Sequence, residues 1–216
     1  MNSLGANLTY EPKPLAFGTS GRRGEVIHLS QLEIYTNVLG ELEYLLRLPP
    51  GEGGIVAGEE FYFAYDLRPS STCFVAGTPQ RGEICQAVET AIRDAGLTPV
   101  NLGAIPTPAL TYFALSRGRG SIMVTGSHIP FNRNGYKLNT SAGELLKEQE
   151  APITASVESV RERLGAEDLT HSRFNPDGLF RTGHQDLPPA LPAAGQAYLA
   201  RYRDFFGHMS LEGLSV

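Results

Sequence analysis

The stretch PVNLGAIPTPALTYFALSRGRGSIMVTGSHIP, residues 99–130, sets the fold class. It opens with a short strand over residues 99–102 and turns through Gly103 and Pro106. Thr107 stands where a helix N-cap belongs, with Pro108 at the first helical position, where a fixed φ and a missing N–H cost little. The apolar run Ser121-Ile122-Met123-Val124 is a second strand. It delivers the chain into a polar loop, Thr125-Gly126-Ser127-His128-Ile129-Pro130. Strand, helix and strand in this order make the unit of a layered α/β sheet.

The alternation extends in both directions. Ser30 followed by Glu33 is a capping-box signature. After it Leu32, Tyr35, Val38, Leu39, Leu42, Leu45 and Leu46 recur at helical spacing, up to Pro49-Pro50. An aromatic strand over residues 61–65 runs into a polar loop, Asp66-Leu67-Arg68-Pro69-Ser70-Ser71. Ile84, Ala87, Val88, Ala91, Ile92 and Ala95 line a second helix, which Gly96 ends at C′. A strand is expected over residues 136–139 and a helix over 153–164, ended by Gly165. From residue 165 to 192 the pattern dissolves into Gly, Pro, Asp, His and Arg and reads as loop or linker. Tyr198, Leu199, Tyr202, Phe205 and Phe206 restore a helical face, and residues 211–216 read as a loop entering a strand.

Bulk properties exclude several classes. Of 216 residues, 41% are hydrophobic and 19% charged, which suits a globular core. Eighteen basic against 23 acidic residues give a formal charge of −5, so nucleic acid and anionic membranes are not expected partners. No apolar run reaches the roughly 20 residues that span a bilayer. No signal peptide is recognisable, and a cytoplasmic location is expected. Cys73 and Cys85 are too far apart for a CxxC motif and are expected to be reduced, half-buried thiols.

Three polar loops carry the chemistry. In the first, Phe17-Gly18-Thr19-Ser20-Gly21-Arg22-Arg23-Gly24, glycine N–H groups, two hydroxyls and two guanidiniums suit an anion, although a solvated turn has the same composition. In the second, Arg68 can pair with Asp66 or hold a partner loop; a plain structural turn reads the same way. The third carries Ser127 at the carboxyl end of an apolar strand, where open α/β sheets place ligands. A capping serine beside a surface histidine is the alternative. The third loop lacks the Gly-x-Ser-x-Gly elbow of serine hydrolases. On an extended chain, moreover, His128 would point away from Ser127.

These loops in this order, with Asn134-Gly135-Tyr136-Lys137 after the third, resemble the first domain of the α-D-phosphohexomutases, which include phosphomannomutase, phosphoglucomutase and phosphoglucosamine mutase. The family's FGTSGIRG stands here as FGTSGRRG, residues 17–24, and its TASHNP as TGSHIP, residues 125–130. Pro106-Thr107-Pro108 is also similar to the family. The resemblance spans roughly residues 15–150. It implies a three-layer α/β/α domain with a mixed sheet, and a mutase that moves a phosphoryl group between the 1- and 6-positions of a hexose through a phosphoserine and a bisphosphate. By match, Ser127 is the phosphoryl carrier. Lys137, Arg23 and His128 are its catalytic companions, with Thr19, Ser20, Arg22 and Asn134 as substrate or phosphate contacts. The implied cofactor is Mg²⁺, with a phosphate oxygen on Ser127 as one ligand.

Two departures stand out. Arg22 replaces an apolar residue and is expected to add charge at the mouth of the first loop, and Ile129 replaces an asparagine. The family's aspartate metal loop, DGDGDR, has no counterpart, since Asp168, Asp177 and Asp186 stand far apart. The organisation expected is a first domain over residues 1–165, a linker over 166–192, and a linker helix with the first strand of a cut second domain over 193–216. The partner implied is mannose or glucose 1- or 6-phosphate. The 216-residue chain is expected to be inactive without the missing C-terminal domains. A non-catalytic sugar-phosphate or anion-binding module is the alternative.

Overall fold

In the segment Phe61-Tyr62-Phe63-Ala64 alternate side chains must take opposite faces of a strand. All four are buried, so this strand is covered on both sides. The computed structural model describes residues 2–15, 17–18, 21–75, 81–207 and 209. In chain order they form β1 (Phe17–Gly18), β2 (Gly21–Glu25), α1 (Gln31–Leu45), β3 (Glu60–Tyr65), α2 (Pro69–Thr72), β4 (Phe74–Val75), β5 (Arg81–Gly82), α3 (Ile84–Asp94), β6 (Thr98–Ala104), α4 (Thr107–Leu115), β7 (Ser121–Val124), β8 (Arg133–Asn139), α5 (Glu150–Ala166) and α6 (Ala193–Phe206).

The main sheet runs β1-β2-β8-β7-β3-β6. β6, β3 and β7 are parallel, and β7, β8, β2 and β1 pair antiparallel. Phe61, Phe63, Ile122, Val124, Tyr136 and Leu138 face a core shared with α1, α3 and α5. Tyr62, Ala64, Leu102 and Met123 face a smaller core that Leu110, Phe113, Ala114 and Ala194 of α4 and α6 complete. The fold is therefore a three-layer α/β/α domain on a mixed sheet. Its connections fix where a ligand can sit. From β3 the chain passes through α3 to β6 on one side, while from β7 it turns to β8 on the other. The carboxyl ends of β3 and β7 thus flank a switch point, the usual ligand crevice of open α/β sheets.

Helix α1 is buried along nearly its whole length. At Gly40 a Cβ would fall 2.6 Å from the Val157 backbone, so only glycine permits the close approach of α1 and α5. Half of the capping box forms. Glu33 N–H donates to Ser30 Oγ at 3.2 Å, while the Glu33 carboxylate turns away and accepts from Leu15 N–H, Asn37 Nδ2 and the Arg161 guanidinium instead. That one side chain ties the N-terminal segment and α5 to α1.

Several boundaries differ from the sequence reading. The N-cap of α4 is Pro106 with no side-chain cap, so Thr107 is already helical. β8 starts at Arg133, and Gly165 lies inside α5. Residues 21–24 are strand rather than loop, because β8 offers them backbone partners. Cys85 is fully buried and Cys73 exposed; both are free. The expected strand over 211–216 lies outside the described residues.

Residues 166–192 are irregular but packed. The Phe174 ring, 0% exposed, meets Tyr35 edge-on at 5.3 Å and stacks on Phe180 at 4.9 Å. Phe180 N–H donates to Gln31 Oε1 at 2.7 Å, and Leu32 N–H to Gly178 O at 2.9 Å. The sequence shows no periodicity here because single aromatic anchors and side-chain hydrogen bonds fix the segment. Phe174→Ala should therefore destabilise the domain by about 3–5 kcal/mol in urea unfolding. A free linker would give a change near zero.

Candidate active site

The β3 and β7 loops meet at the switch point. Asp66 stands just past the end of β3, and its carboxylate is shared between the two loops. Oδ1 accepts from Arg68 N–H at 3.0 Å and Ser71 Oγ at 2.8 Å within its own loop. Oδ2 accepts from Thr125 Oγ at 2.9 Å and Gly126 N–H at 3.1 Å in the other. The Arg68 guanidinium lies beside Asp66 and donates to the carbonyls of Ser127, Ile129, Pro130 and Arg133 at 2.7–3.2 Å. Both sequence readings of Arg68, pairing with Asp66 and holding a partner loop, hold at once.

Ser127 is exposed and has φ +52°, the left-handed region that L side chains rarely adopt. Residue preference would put a sharp bend on Gly126, but the positive φ falls on Ser127 itself. A Cβ on Gly126 would sit 2.5 Å from Arg68 Nε, so the glycine makes room for the guanidinium. The left-handed turn also corrects the extended-chain argument about His128, whose Nδ1 lies 3.3 Å from Ser127 Oγ. Among the described residues no carboxylate orients the exposed His128 ring, which a hydrolytic triad requires.

Strand alternation separates the two arginines of the first motif. Arg22 pairs opposite Tyr136, and Arg23 opposite Gly135, on the other face. Arg22 was expected at the loop mouth; it is instead 3% exposed and inward, with Nε 2.5 Å from Glu41 Oε1 and the guanidinium over the Phe17 ring. Burial pushes the Glu41 carboxyl above its ordinary range while Arg22 pulls it back, and burial also raises the Tyr136 hydroxyl. The Tyr136 hydroxyl and the Glu41 carboxylate act on each other across this layer, while Arg22 Nη2 has no hydrogen-bond partner among the described residues. All three residues line a cavity of about 50 Å³, large enough for water but not for a sugar phosphate.

Asn134 was expected to contact phosphate, yet it is fully buried. Its Nδ2 donates to Ser70 and Ser71, and its Oδ1 accepts from Gly135 N–H. It fastens β8 to α2. Lys137 sits opposite Met123 on β8 and pairs with Glu144. Arg23 and Lys137 share the face that Arg22 avoids, and in this state neither bonds to Ser127. Thr19 and Ser20 lie outside the described residues. Among the described residues no group of three or more His, Cys, Asp or Glu could hold a metal. Asp66, the carboxylate closest to the loop, already has both oxygens engaged. The described residues thus gather no carboxylate set for the Mg²⁺ site that the resemblance implies.

The three layers and the exposed serine at the switch point define a layered α/β domain with a candidate site at that crevice. Residues 14–164 match the model of phosphoglucomutase/phosphomannomutase, alpha/beta/alpha domain I. The chain belongs to that family, the α-D-phosphohexomutases. It is 36% identical over 149 residues to a phosphomannomutase of Sinorhizobium fredii, covering 67% of this chain and 27% of that one. A phosphoglucosamine mutase of Helicobacter pylori is 29% identical over 161 residues, 73% of this chain and 31% of that one. A solved Thermus thermophilus structure described as a phosphomannomutase superposes with a TM-score of 0.58 at 21% identity. It covers 94% of this chain and 38% of that one, a likeness of fold. The chain spans about a quarter to a third of the length of the curated relatives it matches. No helix among the described residues is long and apolar enough to cross a membrane.

The buried Arg22–Glu41 pair makes a two-part prediction. Arg22→Ala should cost about 3–5 kcal/mol by stranding the Glu41 carboxylate, whereas Arg22→Met with Glu41→Leu should come close to wild type. Urea unfolding of the three proteins decides it; equal losses in the single and double variants would show the pair to be irrelevant.

Proposed function

We propose that this chain carries the phosphoryl-carrier loop of a hexose-phosphate mutase, with Ser127 as the residue that is phosphorylated. The observation that carries the reading is the placement of Ser127: exposed, in a left-handed turn, at the switch point, in a chain of this family. In the first half-reaction the phosphoryl group carried on Ser127 passes to the free hydroxyl of the hexose phosphate: the bond from phosphorus to Ser127 Oγ breaks as the bond to the sugar oxygen forms, and the sugar's proton ends on Ser127 Oγ. The hexose bisphosphate so formed reorients. In the second half-reaction it returns its other phosphoryl group to Ser127, whose proton ends on the released sugar hydroxyl.

A phosphoserine adds about −1.5 to −2 charge. Arg23 and Lys137, on the one face of the sheet, supply positive charge for it. A guanidinium and an ammonium are cations near neutral pH, so charge stabilisation is their role rather than base catalysis. Lys137 must exchange Glu144 for phosphate to take part. His128, within 3.3 Å of Ser127 Oγ, is placed to hold a phosphate oxygen. Mg²⁺ belongs to the complete enzyme, with ligands beyond those described here. Mannose, glucose and glucosamine phosphates are the substrate class that the relatives' names suggest. Two free cysteines suit a reducing cytoplasm.

The whole gene product, given glucose 1,6-bisphosphate and Mg²⁺, should gain the mass of one phosphoryl group, and Ser127→Ala should not. Equal gain by both proteins in intact-mass measurement would sink the assignment. The 216-residue chain alone should show no mutase turnover in a coupled assay.

A further inference from the structure

The outer contacts of Ser127 come from a loop about 60 residues earlier in the chain. Its N–H donates to Thr125 Oγ at 2.8 Å, and that hydroxyl in turn donates to Asp66 Oδ2. Its carbonyl accepts from Arg68 Nη2 at 3.2 Å. The peptide groups on both sides of the serine are therefore held from the end of β3, and the strained φ is kept by contacts from outside the loop. A left-handed serine persists only where its surroundings over-determine it. Here Asp66 and Arg68 do so.

We propose that Asp66 and Arg68 are positioning residues for phosphoryl transfer: through Thr125 and the Ser127 carbonyl they fix the direction in which Ser127 Oγ meets the phosphorus. The inference rests on Ser127 being the carrier. Three features separate it from a plain tie between loops. The grip converges on the two peptide groups of the reacting residue. Gly126, the neighbour of Ser127, has no side chain where the guanidinium lies. The Arg68 head group spans four carbonyls and one carboxylate, which the planar five-donor fork of arginine can do and a lysine ammonium cannot. The serine hydroxyl itself is left out of that grip and faces His128 Nδ1 at 3.3 Å, so the β3 loop holds the backbone of Ser127 and not its reacting atom.

Displacing a reacting group by about 1 Å costs on the order of a hundredfold in rate. Arg68→Lys and Thr125→Val, the second of which cuts the relay from Asp66 while keeping the shape of the side chain, are tested in the whole gene product. Phosphoryl incorporation at Ser127 from glucose 1,6-bisphosphate is followed by rapid quench, alongside thermal melting. Both variants should fall roughly 10- to 100-fold in the single-turnover rate at saturating bisphosphate. The half-saturating concentration should stay unchanged and the melting transition stay above the assay temperature. Guanidinium ion added to Arg68→Ala should recover part of the lost rate. Wild-type rates in both variants, or a loss that appears only as weaker saturation, would overturn the positioning role. Failure of wild type to be labelled at Ser127 would instead overturn the carrier reading, so the two failures are told apart.

Discussion

Parallel pairing of β3 with β7 is the constraint on which the site depends. It places two strand ends side by side while their connections leave in opposite directions, and a crevice results without any further design. Loops at such ends contain carbonyls that no strand satisfies. Arg68 takes up four of them, and Asp66 takes the Thr125 hydroxyl and the Gly126 N–H. The same groups that settle the backbone accounting of two loops thereby determine where Ser127 sits. Fold stability and site geometry draw on one set of hydrogen bonds.

The second constraint is the two-residue period of β2. Adjacent arginines cannot share a role there, because one must enter the layer between sheet and α1. Arg22 does, and Glu41, across that layer, is the charge that makes its burial tolerable. A neutral residue at Glu41 would leave a guanidinium in an apolar layer, a far larger penalty than a lost surface ion pair. The departure from the family's apolar residue is thus compensated inside the core, while Arg23 remains on the same face as Lys137.

Much of the fold was legible in the sequence, because it rests on period. The helically spaced apolar residues of α1, the aromatic run of β3 and the apolar run of β7 each appear within a residue or two of the expected limits. What was not legible rests on partners distant in sequence. Asn134 reads as a polar loop residue until Ser70 and Ser71 are seen beside it. Glu33 reads as a capping residue, yet Arg161 claims its carboxylate. Residues 166–192 read as linker because two phenylalanines carry no periodicity. The left-handed φ fell on a serine next to a glycine, and residue preference alone would have put it on the glycine.

The site divides into a part that is local and a part that is not. The contacts that hold Ser127 among the described residues come from within residues 66–133, all of them in one layered domain. For Ser127 to act as the proposed carrier, positive charge must gather at it, and in this structure Lys137 is engaged by Glu144 while the described residues form no metal set. In the proposed function, presentation of the nucleophile and stabilisation of the transition state are therefore separable physical tasks. A domain can hold its serine ready, with the strain already met by Asp66 and Arg68, and still depend on charge from elsewhere in the enzyme to make the transfer fast.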